Sequence, residues 1–269
     1  MINTALIGSG YWGIRLLGYV NSHSEFHVRH ICNSKTDMSK VWDSVEAVVI
    51  ATPIKTHYKI AKEALTRGKH VFVEKPITLK KAEAENLKKL AERQNLALFT
   101  DLTWTFSRAL RKAQCVDIGS PRIIEIILKR PHRGAVIQSA YWVLGPHALS
   151  ILDMFVSLKH LRFQKATSAV GSGSIWFRCK NPRGAGLIGK IAVSINHPQK
   201  ETRVAIYGSN GVVVYKPAEG AVIINGERHV FDEGNNLKYA IDNFYKIING
   251  EIESNIDRAI LVTKILEKL

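Results

Sequence analysis

Cysteine, acidic side chains and long apolar runs are all scarce in this 269-residue chain. The three cysteines, Cys32, Cys115 and Cys179, stand far apart and form no zinc-type spacing. Three thiols cannot all pair within one chain, a usage that suits a reducing cytoplasm. No apolar run approaches the ~20 residues a membrane helix needs, so no membrane partner is expected. The histidines lack ligand spacing with cysteine or carboxylate partners, so no metal site is expected. There is no internal repeat and no low-complexity linker. The chain opens almost directly on a strand-like run, and no signal peptide is expected ahead of it.

The deficit of acids is the most unusual number. Only 23 Asp and Glu face 38 Lys and Arg, a formal charge of +15. Such a balance suits an anionic partner. Nucleic acid is not the expected one. The basic residues are dispersed, in small clusters such as Lys80-Lys81, Lys88-Lys89, Arg111-Lys112 and Lys129-Arg130. No helix-turn-helix, zinc-finger or RNA-recognition signature accompanies them. An anionic small molecule uses positive potential equally well. Hydrophobic content of 46% and charged content of 23% are ordinary for a soluble globular protein with room for more than one domain.

Against these absences stands a glycine turn. A short strand-like run leads into Gly8-Ser9-Gly10-Tyr11-Trp12-Gly13, and a helical segment follows. Gly8 permits a tight turn, Gly10 lets the backbone approach a pyrophosphate, and Gly13 lets helix and strand pack closely. The positive end of the helix then faces the phosphates. Tyr11 and Trp12 sit inside the turn, where they either cover the ligand or pack locally. The run Ala47-Val48-Val49-Ile50-Ala51-Thr52-Pro53 reads as a buried strand ending in a proline turn. Thr56 is the expected N-cap of the next helix, whose apolar face is Ile60, Ala61, Ala64 and Leu65 and whose stop is Gly68. Another strand ends abruptly in Glu74-Lys75-Pro76. A helix over 79–94 and a strand over 96–100 complete an alternating series, which argues for a parallel sheet wound on both faces.

Read in order, the glycine turn, Ala51-Thr52-Pro53 with Thr56-His57, and Glu74-Lys75-Pro76 resemble the glucose–fructose oxidoreductase / inositol dehydrogenase (Gfo/Idh/MocA) family. Further on, Tyr141-Trp142-Val143-Leu144-Gly145-Pro146-His147-Ala148-Leu149-Ser150 resembles that family's second signature in its nucleotide-sugar branch. The resemblance implies an N-terminal Rossmann domain over 1–102 and a substrate and oligomerisation domain over 103–269, with a C-terminal helix (257–269) returning towards the first. The expected fold class is thus α/β plus α+β: a trimmed, doubly wound parallel sheet and a mostly antiparallel open sheet. It implies an NAD(P)-dependent oxidoreductase that moves hydride between nicotinamide and a secondary hydroxyl or ketone of a sugar or nucleotide sugar. It also suggests a homodimer or homotetramer. Outside the first domain, strands are expected over 123–129, 161–167, 174–180, 187–197, 202–207, 212–215 and 221–224, with turns at Asn181-Pro182-Arg183-Gly184 and Ser209-Asn210-Gly211.

By motif match, Lys75 hydrogen-bonds the reacting oxygen and His147 is the acid/base. The cofactor-binding residues are then Gly8, Gly10, Tyr11, Trp12, Gly13, Asn33, Ser34, Lys35, Thr52, Pro53, His57, Glu74, Lys75 and Pro76. Trp104, Arg133, Tyr141 and Trp142 are candidate substrate contacts by position. Gly145-Pro146 reads as an N-cap followed by proline at the first helical position, which places His147 at a positive helix end that favours a neutral base.

The chain departs from the family at several points. Val143 stands where the family places an aspartate four residues before the histidine, and Ala148 fills a second acidic position. Leu102 stands where the related branch often has histidine. Asp101 and Asp153 are candidate substitutes. A non-catalytic NAD(P)- or sugar-binding regulatory protein is therefore the alternative reading. At the adenosine end, the second strand (26–32) leads into Asn33-Ser34-Lys35 rather than an acid. That tip tolerates a 2′-phosphate better than a carboxylate does, so NADP is expected over NAD. The stretch 33–44 holds one crossover at most, which predicts a trimmed sheet and a more exposed adenine.

Overall fold

The computed structural model describes residues 1–131, 139–169, 171–179, 186–231 and 234–269. Arg133, the end of the strand expected at 174–180, and the turn at 181–184 lie outside the described residues. The chain divides into two compact units, one of Met1–Thr103 with Asn236–Glu267 and one of Trp104–Asn235 with Lys268–Leu269.

The first unit alternates strands and helices. In chain order they are β1 (Ile2–Ile7), α1 (Tyr11–Asn21), β2 (Phe26–Cys32), α2 (Ser39–Trp42), β3 (Ala47–Ile50), α3 (Ile54–Thr66), β4 (His70–Glu74), α4 (Lys81–Arg93) and β5 (Leu98–Asp101). The five strands are parallel, in the order β2-β1-β3-β4-β5. β3 and β5 read as unbroken buried runs because helices cover both faces of the sheet. β2 is an edge strand, and alternate residues along it face outwards. Only the one-turn helix α2 separates β2 from β3, so the sheet stops at five strands, as the short 33–44 stretch predicts.

Three adjustments to the expected elements have clear physical causes. Thr56 is not a cap: Pro53, with its ring-fixed φ of −57°, is the N-cap and α3 starts at Ile54. The Thr56 hydroxyl instead donates back to the Pro53 carbonyl (2.7 Å) and lies 2.8 Å from that of Thr52. Strand β13 (Glu227–Val230) was not expected, since it is short, charged and at a sheet edge. Helix α7 (Asn236–Ile248) was also missed, although Leu237, Ala240, Ile241 and Phe244 recur at helical spacing and are buried.

Helices α7 and α8 (Ile256–Leu266) belong to the first unit. Phe244 of α7 stacks on Phe26 (5.9 Å between ring centroids) and meets Phe72 edge-on (5.7 Å), which fills one face of the sheet with aromatic rings. On the other face, Ala61, Ala64 and Leu65 of α3, Ala84 and Leu87 of α4, and Ala259 and Ile260 of α8 pack with Val48, Ile50, Val71 and Val73.

The second unit holds α5 (Arg108–Gln114), β6 (Pro121–Lys129), α6 (Ala140–Phe155), β7 (Leu161–Ala169), β8 (Ser172–Cys179), β9 (Ile188–Ser194), β10 (Glu201–Gly208), β11 (Val212–Lys216), β12 (Ala221–Ile224) and the edge strand β13. They form an eight-stranded sheet in the order β13-β12-β11-β10-β6-β9-β8-β7. β6 and β9 are parallel neighbours, and the other pairs are antiparallel. This is the largely antiparallel sheet that the strand-rich second half implies.

Candidate active site

The glycine turn is built by close approach. Gly8 has a φ of +107°, and a Cβ there would stand 2.5 Å from the Ala51 carbonyl oxygen. A Cβ at Gly13 would stand 1.8 Å from the Gly8 carbonyl oxygen. Both positions therefore bar any side chain. Gly10 is different: it is the N-cap of α1, and nothing lies within 4 Å of its would-be Cβ. The open side of Gly10 and the first-turn amides of α1, which have no intrahelical acceptors, fit the phosphates of a dinucleotide. The Gly8 amide donates to the Cys32 carbonyl (2.9 Å) and the Ala51 amide to that of Ile7 (2.8 Å). The carboxyl ends of β1, β2 and β3 are thus tied into one rim.

Tyr11 and Trp12 are exposed by 59% and 41%, and they meet edge-to-face at 5.4 Å. The Arg15 guanidinium lies over both rings, at 5.8 and 5.3 Å from the centroids. Aromatic surface and a cation therefore flank the turn. At the end of β2, Asn33, Ser34 and Lys35 are all exposed. The Asn33 side chain accepts from the Lys35 amide (2.9 Å), and the Asn33 amide donates to the Thr36 hydroxyl (2.9 Å). This fold of the tip is the one Asn favours.

The next part of the rim is locked by His57. Its Nδ1 lies 2.9 Å from the Pro76 carbonyl and its Nε2 2.8 Å from the Thr52 carbonyl. Both partners only accept, so a neutral ring donates to one of them. Burial holds the imidazole below its usual range, the two carbonyls oppose this, and the nearby charge of Lys75 lowers it further. His57 thereby staples the loop after β3 to the cis Lys75-Pro76 bond after β4. Lys75 is half-buried at the carboxyl end of β4, where open α/β sheets bind their ligands.

Beside it, two acids end neighbouring strands. Glu74 is 7% exposed and Asp101 1%. Burial and the charge of Asp101 push the Glu74 carboxyl up to about 8, while Lys75 pulls the other way. Burial likewise raises Asp101, to about 6, against the Thr103 hydroxyl and the charge of Lys75.

In the second unit the structure corrects the setting of His147. Ser139, not Gly145, caps α6, its side chain accepting from the Tyr141 amide (3.3 Å). Pro146 lies inside the helix, where its lack of an N–H leaves the Trp142 carbonyl without the usual helical donor. Gly145 ahead of it has no Cβ to press on the ring. His147 is therefore two turns into α6, beyond the reach of the positive helix end, and the dipole argument for a neutral base falls. Val143 lies one turn before His147 on the same helix face. The Trp104 ring meets the His147 ring at 6.4 Å and that of Tyr215 at 6.1 Å. Trp104 and His147 are thus brought together, and Trp142 is half-buried on the same helix. Tyr141 points elsewhere: it is 4% exposed, and its hydroxyl faces the carbonyls of Thr167 and Ser174. Asp153 holds the Leu158 amide (3.0 Å) beyond the end of α6. Among the described residues no group of three or more His, Cys, Asp or Glu is placed to hold a metal ion. No described helix is long and apolar enough to cross a membrane.

Comparison with known proteins shows likeness in sequence over part of the chain and in fold. Residues 24–102 match the model of an oxidoreductase family with an NAD-binding Rossmann fold, GFO_IDH_MocA. UDP-N-acetylglucosamine 3-dehydrogenase of Acidithiobacillus ferrooxidans is 31% identical over 94 residues, which is 35% of this chain and 30% of that enzyme. The first curated relatives are matched over only 14–30% of their own length. Among solved structures, KijD10, a 3-ketoreductase from Actinomadura kijaniata in complex with NADP and TDP-benzene, aligns over 100% of this chain and 96% of its own. Its TM-score is 0.88 and its identity 16%. GenD2 from gentamicin A biosynthesis, in complex with NAD, aligns over 99% and 92%, with a TM-score of 0.84 and 19% identity. At such identities the likeness is one of fold. Over residues 24–102, the segment that carries the motifs at 51–57 and 74–76, the chain is thus similar to the Gfo/Idh/MocA oxidoreductases, and its fold is the one these structures share.

Proposed function

We propose that this protein is an NAD(P)-dependent oxidoreductase. It would move hydride between the nicotinamide and a secondary hydroxyl or ketone of a sugar, with nucleotide sugars the favoured class. The observation that carries this reading is the rim of the parallel sheet. There the close-packed Gly8–Gly13 turn and the half-buried Lys75 both lie at strand carboxyl ends. A relative that is a UDP-N-acetylglucosamine 3-dehydrogenase, and a structural neighbour that is a 3-ketoreductase in complex with TDP-benzene, support the substrate class.

The bound nicotinamide would supply or accept the hydride. The chain's own residues do the rest. The α1 amides and Gly10 would hold the pyrophosphate, with Tyr11, Trp12 and Arg15 beside the turn, and His57 keeps the Thr52-Pro53 and Lys75-Pro76 loops in register. Lys75 donates a hydrogen bond to the reacting oxygen and stabilises it as alkoxide character develops. His147 takes the hydroxyl proton in the oxidising direction and returns it in the reducing one. NADP is favoured over NAD because the exposed Asn33-Ser34-Lys35 tip presents a cation and no carboxylate. A homodimer or homotetramer is supported by exposed Ile123, Trp176 and Ile188 on three strands of the second unit's sheet. A cytoplasmic location is supported by the three free cysteines.

One observation favours a second reading. Val143 puts an apolar side chain on the His147 face of α6, where the resemblance implies a carboxylate, and a non-catalytic binder of NAD(P) or sugar would tolerate that. Titration with NADPH and with NADH, followed by quenching of tryptophan fluorescence, tests the primary reading. Binding with NADPH preferred supports both the turn and the tip arguments. Tighter NADH binding keeps the enzyme and overturns the cofactor preference. Binding of neither removes the dehydrogenase reading.

A further inference from the structure

Glu74 and Asp101 are register partners on adjacent parallel strands, so their side chains emerge on one face of the sheet. They continue a row that begins with Phe72 and Phe99, whose rings pack at 5.2 Å. An apolar wall thus lies directly beneath two carboxyl groups, and both are buried. Among the described residues each accepts a hydrogen bond. Glu74 Oε2 accepts from the Lys75 amide (3.2 Å), and Asp101 Oδ1 accepts from the Thr103 hydroxyl (2.7 Å). Asp101 Oδ2 is fully buried and meets no donor among the described residues.

Two carboxylates in such a place cannot both ionise without a large penalty from burial and mutual repulsion. One proton removes the repulsion and supplies a donor to Asp101 Oδ2, where the described residues offer none. The charged groups acting on the pair are each other and Lys75. His57 feels the charge of Lys75 in turn.

We infer that Glu74 and Asp101 share a single proton in the resting protein, leaving one negative charge against the one positive charge of Lys75, and that Asp101 is thereby a positioning residue for Lys75. This rests on the role proposed for Lys75 above. It assigns a carboxyl function to the first unit in a chain with Val143 where the resemblance implies an aspartate. When the pair carries its proton, Lys75 faces one compensating charge and its ammonium stays available to a substrate oxygen. When the proton leaves, two negative charges hold the ammonium back.

The test uses the full chain without added cofactor. Carboxyl-13C-labelled protein is titrated between acid and mildly alkaline pH by NMR, with Glu74→Gln and Asp101→Asn assigning the signals. The expected result is one un-ionised buried carboxyl at neutral pH. In Asp101→Asn the Glu74 titration falls by more than about one pH unit, the scale at which neighbouring sites titrate as a pair. The 13C-dimethyl signal of reductively methylated Lys75, assigned with Lys75→Arg, should move with the carboxyl titration in the wild type and lose that step in Asp101→Asn. A purely structural Asp101 would not produce that step. Two ordinary carboxylates at neutral pH, or a Lys75 signal indifferent to the carboxyl titration, overturns the inference. NADPH titration of the same samples separates the two ideas. Normal NADPH binding without the shared proton sinks only the pair. The shared proton in a protein that binds neither NADPH nor NADH sinks the assignment of the pair to hydride transfer.

Discussion

Gly13 sits against Gly8 so closely that a Cβ at position 13 would come within 1.8 Å of the Gly8 carbonyl oxygen. The Gly8 carbonyl cannot easily yield, because it is backbone and the Gly8 amide is tied to the Cys32 carbonyl. Gly13→Ala is therefore expected to destabilise the protein by about 3 kcal/mol or more, in the range of severe overpacking. Gly10→Ala meets only open space and should cost no more than about 1 kcal/mol. It should nevertheless lose at least about tenfold in NADPH affinity, about 1.4 kcal/mol. Thermal unfolding and fluorescence titration of the two variants separate packing from ligand approach.

His57→Ala removes the one N–H held between the Pro76 and Thr52 carbonyls and opens a cavity at a residue only 1% exposed. A loss of about 2–4 kcal/mol is expected. His57→Gln should recover part of it by restoring one donor. The pH sign follows from the lowered imidazole. The unfolded chain binds the proton first, so the stability His57 contributes is complete above its ordinary titration near 6.5 and is lost as pH falls through the lower folded value. Urea midpoints from neutral to acid pH, with and without His57→Gln, should show that slope disappear.

Glu74 acts with the opposite sign. Its folded carboxyl titrates near 8 against an ordinary 4.5, so between those values the folded state holds more proton than the unfolded one. Stability is then full below about 4.5 and declines as pH rises through 8. A decline of up to about 5 kcal/mol, read as a fall in Tm, is expected from a shift of that size. Glu74→Gln should flatten the curve. A wild-type Tm that holds level or rises across this window, once the His57 slope is removed, would refute the raised carboxyl.

Val143→Asp places a carboxylate one helical turn from His147, on the same face of α6. If the proposed chemistry is limited by the missing acid, turnover in a screen of sugars and nucleotide sugars with NADPH should rise by about 10²-fold or more. An already active wild type with no gain in Val143→Asp would instead show that Lys75 and His147 suffice. A silent pair of proteins that both bind NADPH would favour the non-catalytic reading.

Tyr141→Phe is expected to act on stability alone. Its hydroxyl is buried against two carbonyls of β7 and β8, so removal should cost about 1–2 kcal/mol. KM for any sugar substrate should stay unchanged. A raised KM at unaltered Tm would return Tyr141 to the substrate contacts.

Local patterns determined much of this protein. The unbroken apolar runs of β3 and β5, the helical spacing of Ala61, Ala64 and Leu65, and the glycines at 8, 10 and 13 each specify their own conformation, because backbone sterics and burial period act over a few residues. The shortness of 33–44 likewise limited the sheet, since a crossover cannot be built from fewer residues. The start of α6 escaped this reading. Proline at 146 looks like a helix beginning, yet Ser139 caps seven residues earlier and the packed helix absorbs the lost hydrogen bond. Tertiary structure also decided that α7 supplies Phe244 to the aromatic face of the first sheet, and that Tyr141 turns inwards. Above all it decided that Glu74 and Asp101, 27 positions apart in the chain, end side by side. That pairing depends on the register of β4 against β5, a long-range match no local pattern encodes, and the low dielectric that gives it consequence exists only once the sheet is covered.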